Sequence, residues 1–186
     1  MATPVMRQHE EFKLAHPDCI LFFRIGDFFE LFGDDAVDAH RILGLTLTKR
    51  NNGAAGHIPL CGFPHHQIDR YIPKLTAAGK KVAICEQVED PKEAKGIVKR
   101  DIIEIITPGT SFNTESLEEK DDNLLAALHQ SGENRYALAL LEVTTGEFSV
   151  VEGDEEEITT ELFRRVPKEL LTAEKAPEEE YPIPLS

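Results

Sequence analysis

Two periods of apolar and polar positions run along the chain, and the change from one to the other marks out its elements. Residues 6–16 carry Met6, Phe12 and Leu14 at loose helical spacing and stop at Pro17, which predicts a helix. Residues 19–25 are a nearly unbroken apolar run, the pattern of a buried strand. Gly26-Asp27 turns the chain into a second strand over 28–32. Asp34 or Asp35 is placed to cap a helix that reaches Leu43 and stops at Gly44. Residues 45–50 alternate with period two and predict a half-buried strand, with Leu45 and Leu47 inward and Thr46, Thr48 and Arg50 outward. After the loop at 51–56 come a short strand over 58–62 and a helix over 66–78, whose Ile68, Tyr71, Ile72 and Leu75 share one face. Strands over 81–87 and 98–107 close the front part.

The back part opens at Asn123. A strand over 124–129 precedes a hairpin whose arms, 136–143 and 147–151, flank Thr144-Thr145-Gly146. Asp154 and Glu157 form a capping-box signature for a helix to Arg165, and 169–172 reads as one more strand. Residues 111–122 have the polar composition of a linker.

One stretch breaks the usual pattern. In residues 24–32, Arg-Ile-Gly-Asp-Phe-Phe-Glu-Leu-Phe, a strand puts Phe28, Glu30 and Phe32 on one face and Phe29 and Leu31 on the other. If Phe29 and Leu31 point into a core, Phe28 is displayed beside a carboxylate. The plainer alternative is a buried Phe28 with Glu30 at the rim. The pattern leaves both open.

Charge changes the picture by its distribution. The chain has 186 residues and a net charge of −14. Residues 1–112 hold 14 Lys/Arg and 15 Asp/Glu, a net of −1; residues 113–186 hold 6 and 19, a net of −13. A balanced front and an acidic back suggest two units with different surroundings. The acidic back predicts weak, salt-sensitive binding of the chain to any polyanion. The front carries its bases in adjacent pairs, among them Lys49-Arg50 and Lys99-Arg100.

Catalytic signatures are absent from these residues. There is no G-x-x-x-x-G-K-[ST] or G-x-G-x-x-G phosphate loop, no H-E-x-x-H and no G-x-S-x-G. Cys19, Cys61 and Cys85 show no C-x-x-C spacing and read as reduced thiols. His65 and His66 are adjacent and diverge on any regular element, so no metal site is expected from them. No signal peptide or long apolar span occurs, and a cytosolic setting without membrane is expected.

Several separate stretches, in order, resemble the MutS family of bacterial DNA mismatch repair proteins: His16-Pro17-Asp18, residues 24–32, 45–50, 58–65, 82–87, 106–110 and 122–127. The resemblance implies an α/β fold. A mixed-sheet, α+β-like mismatch-recognition domain occupies 1–110, a linker 111–122, and the first part of an α/β connector domain 123–186. It implies that Phe28 and Glu30 enter the minor groove at mispaired or unpaired bases, Phe28 stacking on a base and Glu30 hydrogen-bonding to it. Arg50 and Arg100 are implied as contacts to the sugar-phosphate backbone, with Lys49 a further candidate; Asp101 stands where another base is expected. The implied partner is duplex DNA with mismatches or small loops. Homodimerisation, downstream repair partners, and an ATPase domain with its ATP and magnesium belong to the parent proteins. No catalysis and no cofactor are expected of this chain, and the expected location is the bacterial cytosol or nucleoid. The competing reading is a protein-interaction fragment without independent DNA binding, which the acidic back half favours.

Overall fold

The computed structural model describes residues 2–111 and 123–173. Residues 112–122 of the expected linker, and the acidic Pro-containing stretch 178–186, lie outside the described residues. The chain divides into two compact units, Met1–Ile106 and Thr107–Ser186. Both combine helices with a mixed sheet, as the α/β reading expects.

The first unit runs α1 (Pro4–Ala15), β1 (Cys19–Ile25), β2 (Phe28–Phe32), α2 (Gly33–Leu43), β3 (Thr48–Asn51), β4 (His57–Pro64), α3 (Ile68–Ala77), β5 (Lys81–Gln87) and β6 (Arg100–Ile106). Its six strands lie in the order β3-β4-β2-β1-β5-β6. Only β1 and β5 pair in parallel. The strand alternation divides the core in two. One cluster holds Phe22, Phe29, Leu31, Phe63 and Val82 against α2 and α3. The other holds Leu21, Phe23, Phe32 and Cys85 against Met6 of α1. A central strand flanked on both faces needs the continuous apolar run that β1 has. Each fully buried Phe or Leu contributes roughly 1.5–3 kcal/mol.

Local chemistry sets the helix ends. Thr3 accepts from the Met6 amide at 3.4 Å and Pro4 opens α1. α2 departs from expectation: it begins at Gly33, Phe32 occupies the cap position, and no side chain caps it. Asp35 is instead turned inward. It accepts from the Leu21 amide at 3.0 Å and from Lys13 Nζ at 2.9 Å, tying α1 and α2 to β1. Burial pushes its pKa up despite those donors. The strand expected over 45–50 is also corrected. Pairing with β4 starts only at Thr48, and Leu45 packs on the core as loop.

His9 is the odd member of α1. It is 5% exposed, its ring edge-on to Phe32 at 4.9 Å and to Phe23 at 5.4 Å. Neither ring nitrogen has a hydrogen-bond partner. Burial, with the Lys13 charge second, lowers its pKa to about 4.

The second unit contains β7 (Leu124–Gly132), β8 (Arg135–Glu142), β9 (Phe148–Gly153), α4 (Glu155–Arg165) and β10 (Glu169–Thr172), in the sheet order β10-β7-β8-β9. α4 opens with the expected capping box: Glu157 N donates to Asp154 and Asp154 N to Glu157, both at 3.0 Å. Its Ile158 and Leu162 cover Leu138, Leu140 and Leu170. β7 runs longer than the pattern suggests, because Asn134 takes a positive φ of 52° and closes a tight hairpin into β8. The hydroxyl and amide of Thr145 hold the pKa of Glu142 down to about 2, and Glu142 also accepts from the Asn123 amide at 3.0 Å.

Candidate nucleic-acid interface

The candidate site grows out of the β1–β2 turn. Gly26 adopts φ 57°, a left-handed conformation that glycine takes at no steric cost. The His65 amide donates to Asp27 O at 2.9 Å and fastens the turn to the end of β4. β2 then starts abruptly at Phe28, paired with Ile25 on one side and Pro64 on the other.

Alternation along β2 follows the period-two reading for its first four residues. Phe29 is 1% exposed and Leu31 0%, while Phe28 is 47% exposed. Glu30 shares the Phe28 face and is half-buried. Phe32 has the same parity but is buried, because α1 packs over it and Phe23. Phe28 and Glu30 therefore stand beyond the part of the face that α1 covers. Of the two readings of this stretch, the displayed Phe28 is the one realised.

Gly62 lies opposite Glu30 in the β2–β4 ladder. A Cβ there would come within 2.8 Å of Phe29 O and 3.7 Å of Glu30 Cγ. A side chain would push against the backbone of β2 itself. Gly62→Ala is therefore expected to cost about 1–2 kcal/mol, the range of overpacking, in a urea unfolding curve. An unchanged midpoint would mean that β2 yields freely. Nothing in the sequence marks Gly62, since only the strand pairing sets it against Glu30.

The three basic candidates part company. Arg50, on β3, reaches across β4 and forms an ion pair with Glu30. Its guanidinium lies 5.6 Å from the centre of the Phe32 ring. Their side chains are 31% and 22% exposed. An ion pair this open is worth about 1 kcal/mol or less and separates readily. Lys49 pairs with Pro59 whereas Arg50 pairs with Ile58, so Lys49 faces the opposite side of the sheet.

Arg100 corrects the sequence expectation. It is 7% exposed, with its guanidinium 4.8 Å above Phe23. Its Nε donates to Arg24 O at 2.6 Å, and one terminal nitrogen to Gln8 Oε1 at 2.8 Å and Val98 O at 3.0 Å. Burial lowers its pKa. A phosphate contact needs an accessible guanidinium. This one is spent on joining α1, β1 and β6, and it supports the face from beneath. Asp101, its neighbour, is exposed.

The arrangement presents an aromatic edge, a carboxylate and one releasable guanidinium on a rigid sheet. Such a group can stack on, hydrogen-bond to and hold a polyanion. Among the described residues, no three His, Cys, Asp or Glu side chains converge as metal ligands, and no helix is long and apolar enough to cross a membrane.

Comparison with known proteins agrees with this surface. Residues 3–115 match MutS domain I and residues 123–184 match MutS domain II. The chain is 50% identical over 169 residues to the DNA mismatch repair protein MutS of Porphyromonas gingivalis, covering 91% of this chain and 19% of that protein. It is 54% identical over 172 residues to the MutS of Desulfitobacterium hafniense, covering 92% and 20%. Against the MutS of Flavobacterium psychrophilum the identity is 51% over 169 residues, covering 91% and 19%. The chain thus spans about a fifth of the length of these relatives. With its displayed Phe28, paired Glu30 and two domain matches, the chain belongs to the MutS family.

Proposed function

We propose that the first unit recognises mispaired or unpaired bases in duplex DNA and serves mismatch repair, as the names of its relatives indicate for those proteins. The observation that carries this reading is Phe28, exposed on the same face as Glu30 while its neighbour Phe29 is buried. A side chain wedged between base steps costs a few kcal/mol of unstacking. A mispair is already poorly stacked and costs less. Phe28 thereby senses deformability instead of base identity, which suits many different mismatches. Glu30 adds a filter: a carboxylate among phosphates is penalised unless a base edge takes it as a partner. Arg50 supplies the backbone contact, and Lys49 is a second, weaker candidate on the far side of the sheet. These two domains act by binding. ATP hydrolysis with magnesium, dimerisation and recruitment of later repair proteins belong to the longer protein, in a bacterial cytosol.

A second reading, a protein-interaction module without independent DNA binding, draws on the net −13 of residues 113–186 and on Phe148 and Val150, exposed on β9. Titration of the chain with matched and single-mismatch duplexes, at low and at physiological salt, separates the two. The DNA reading expects weak binding that strengthens steeply as salt falls. No binding to either duplex at the lowest salt would leave the interaction reading standing.

A further inference from the structure

We propose that Glu30 is an internal stand-in for phosphate, holding Arg50 off the DNA backbone until a base edge takes the carboxylate. Arg50 is then a positioning residue that couples reading of a base to grip on the strand. The inference rests on the reading above that this face meets duplex DNA.

Three observations lead here. Arg50 is an accessible cation on the Phe28–Glu30 face, and its ion-pair partner is the carboxylate proposed to read the base. Of the other candidates, Lys49 faces away and Arg100 is buried with its donors engaged. A guanidinium offers the same planar fork to a carboxylate as to a phosphate, so the two compete for it. Gly62 leaves the space beside Glu30 free of any side chain, so the pair forms across β4 without obstruction.

On a matched duplex every base stays stacked, and Glu30 has nothing to exchange for Arg50. The pair stays closed and faces the phosphates as a neutral unit. At a mispair that Phe28 opens, a base edge accepts or donates to Glu30. Arg50 is released next to the kinked backbone and binds it. A single event therefore adds a base contact and a phosphate contact together.

The test uses the 186-residue chain with a matched duplex, so it does not depend on mismatch recognition. The slope of log K against log salt counts the phosphates neutralised, with close to one unit for each cation. Wild type and Arg50→Ala are expected to give the same slope. Glu30→Gln is expected to steepen it by about one unit, so that about three- to fourfold more affinity is lost between 50 and 200 mM salt. Glu30→Gln combined with Arg50→Ala is expected to return to the wild-type slope. A unit of slope lost in Arg50→Ala alone would show Arg50 already on the backbone and overturn the proposal. Equal steepening by Glu30→Gln in both backgrounds would do the same.

A second measurement needs no DNA. In nitrogen-15 spectra of the free chain, the Arg50 guanidinium is expected to show slowed rotation that Glu30→Gln abolishes. An Arg50 signal indifferent to Glu30→Gln would also overturn the proposal. Preference for a mismatched duplex is measured separately, so the mismatch reading and the exchange can each fail alone.

Discussion

Phe28→Ala is expected to lower preference for a mispaired over a matched duplex about ten- to hundredfold, because aromatic stacking on a base is worth ~1–3 kcal/mol. The measurement belongs in a longer protein, with this chain replacing the equivalent N-terminal part of a full-length relative such as the D. hafniense MutS. A kinked duplex must be held on both sides to offset bending, which costs of order 1–6 kcal/mol. Affinity for matched DNA is expected to change little, since an unopened duplex gives Phe28 no base to stack on. The fold is expected to survive, because Phe28 is 47% exposed and lies outside both core clusters of the first unit. Phe28→Leu separates stacking from bulk: it keeps an apolar wedge and loses the ring. If Phe28→Ala discriminates as well as wild type, the insertion reading is wrong. If it unfolds instead, the side chain is structural.

The second large effect is on stability. His9→Phe is expected to abolish a loss of stability that wild type suffers as pH falls from about 6.5 to about 4. His9 has its folded pKa lowered to about 4, against 6.5 in the open chain. Its neutral form is the one that the fold accepts. Above pH 6.5 both states are neutral and no penalty exists. As pH falls through that value the unfolded chain takes up a proton that the folded chain refuses, and stability is lost until the folded pKa is reached. A gap of this size amounts to about 3 kcal/mol at the acid end. The substituted ring meets the same Phe23 and Phe32 edges, and the two nitrogens without partners are removed. A gain of about 1 kcal/mol at pH 8 is therefore expected as well. Urea unfolding of both proteins between pH 8 and 4.5 gives the comparison. Carboxylates such as Asp35 and Glu142 contribute equally to both and cancel in the difference. Parallel curves would show that His9 titrates normally and that α1 opens to hydrate it.

The period-two alternation of residues 28–32 determines by itself that Phe29 and Leu31 oppose Phe28 and Glu30, since a strand allows no other parity. The apolar run of β1 likewise determines a strand covered on both faces. The capping residues of α4 determine where that helix begins, because the reciprocal hydrogen bonds are made within four residues. These are local matters, and the sequence carries them.

Which part of a face stays open is not local. Phe32 has the parity of Phe28 and is buried, because α1, some twenty residues earlier in the chain, lies across that end of the sheet. Arg50 and Arg100 look alike in sequence, each the second member of a Lys-Arg pair. The strand order separates them. Placing β4 between β2 and β3 brings Arg50 to Glu30 at the rim. Placing β6 beside β5 under α1 buries Arg100 on Phe23. Asp35 and Gly62 follow the same rule, one drawn from a helix cap into the core, the other set opposite Glu30. Long-range strand pairing decides which like residues are spent on the fold and which remain free to meet a partner.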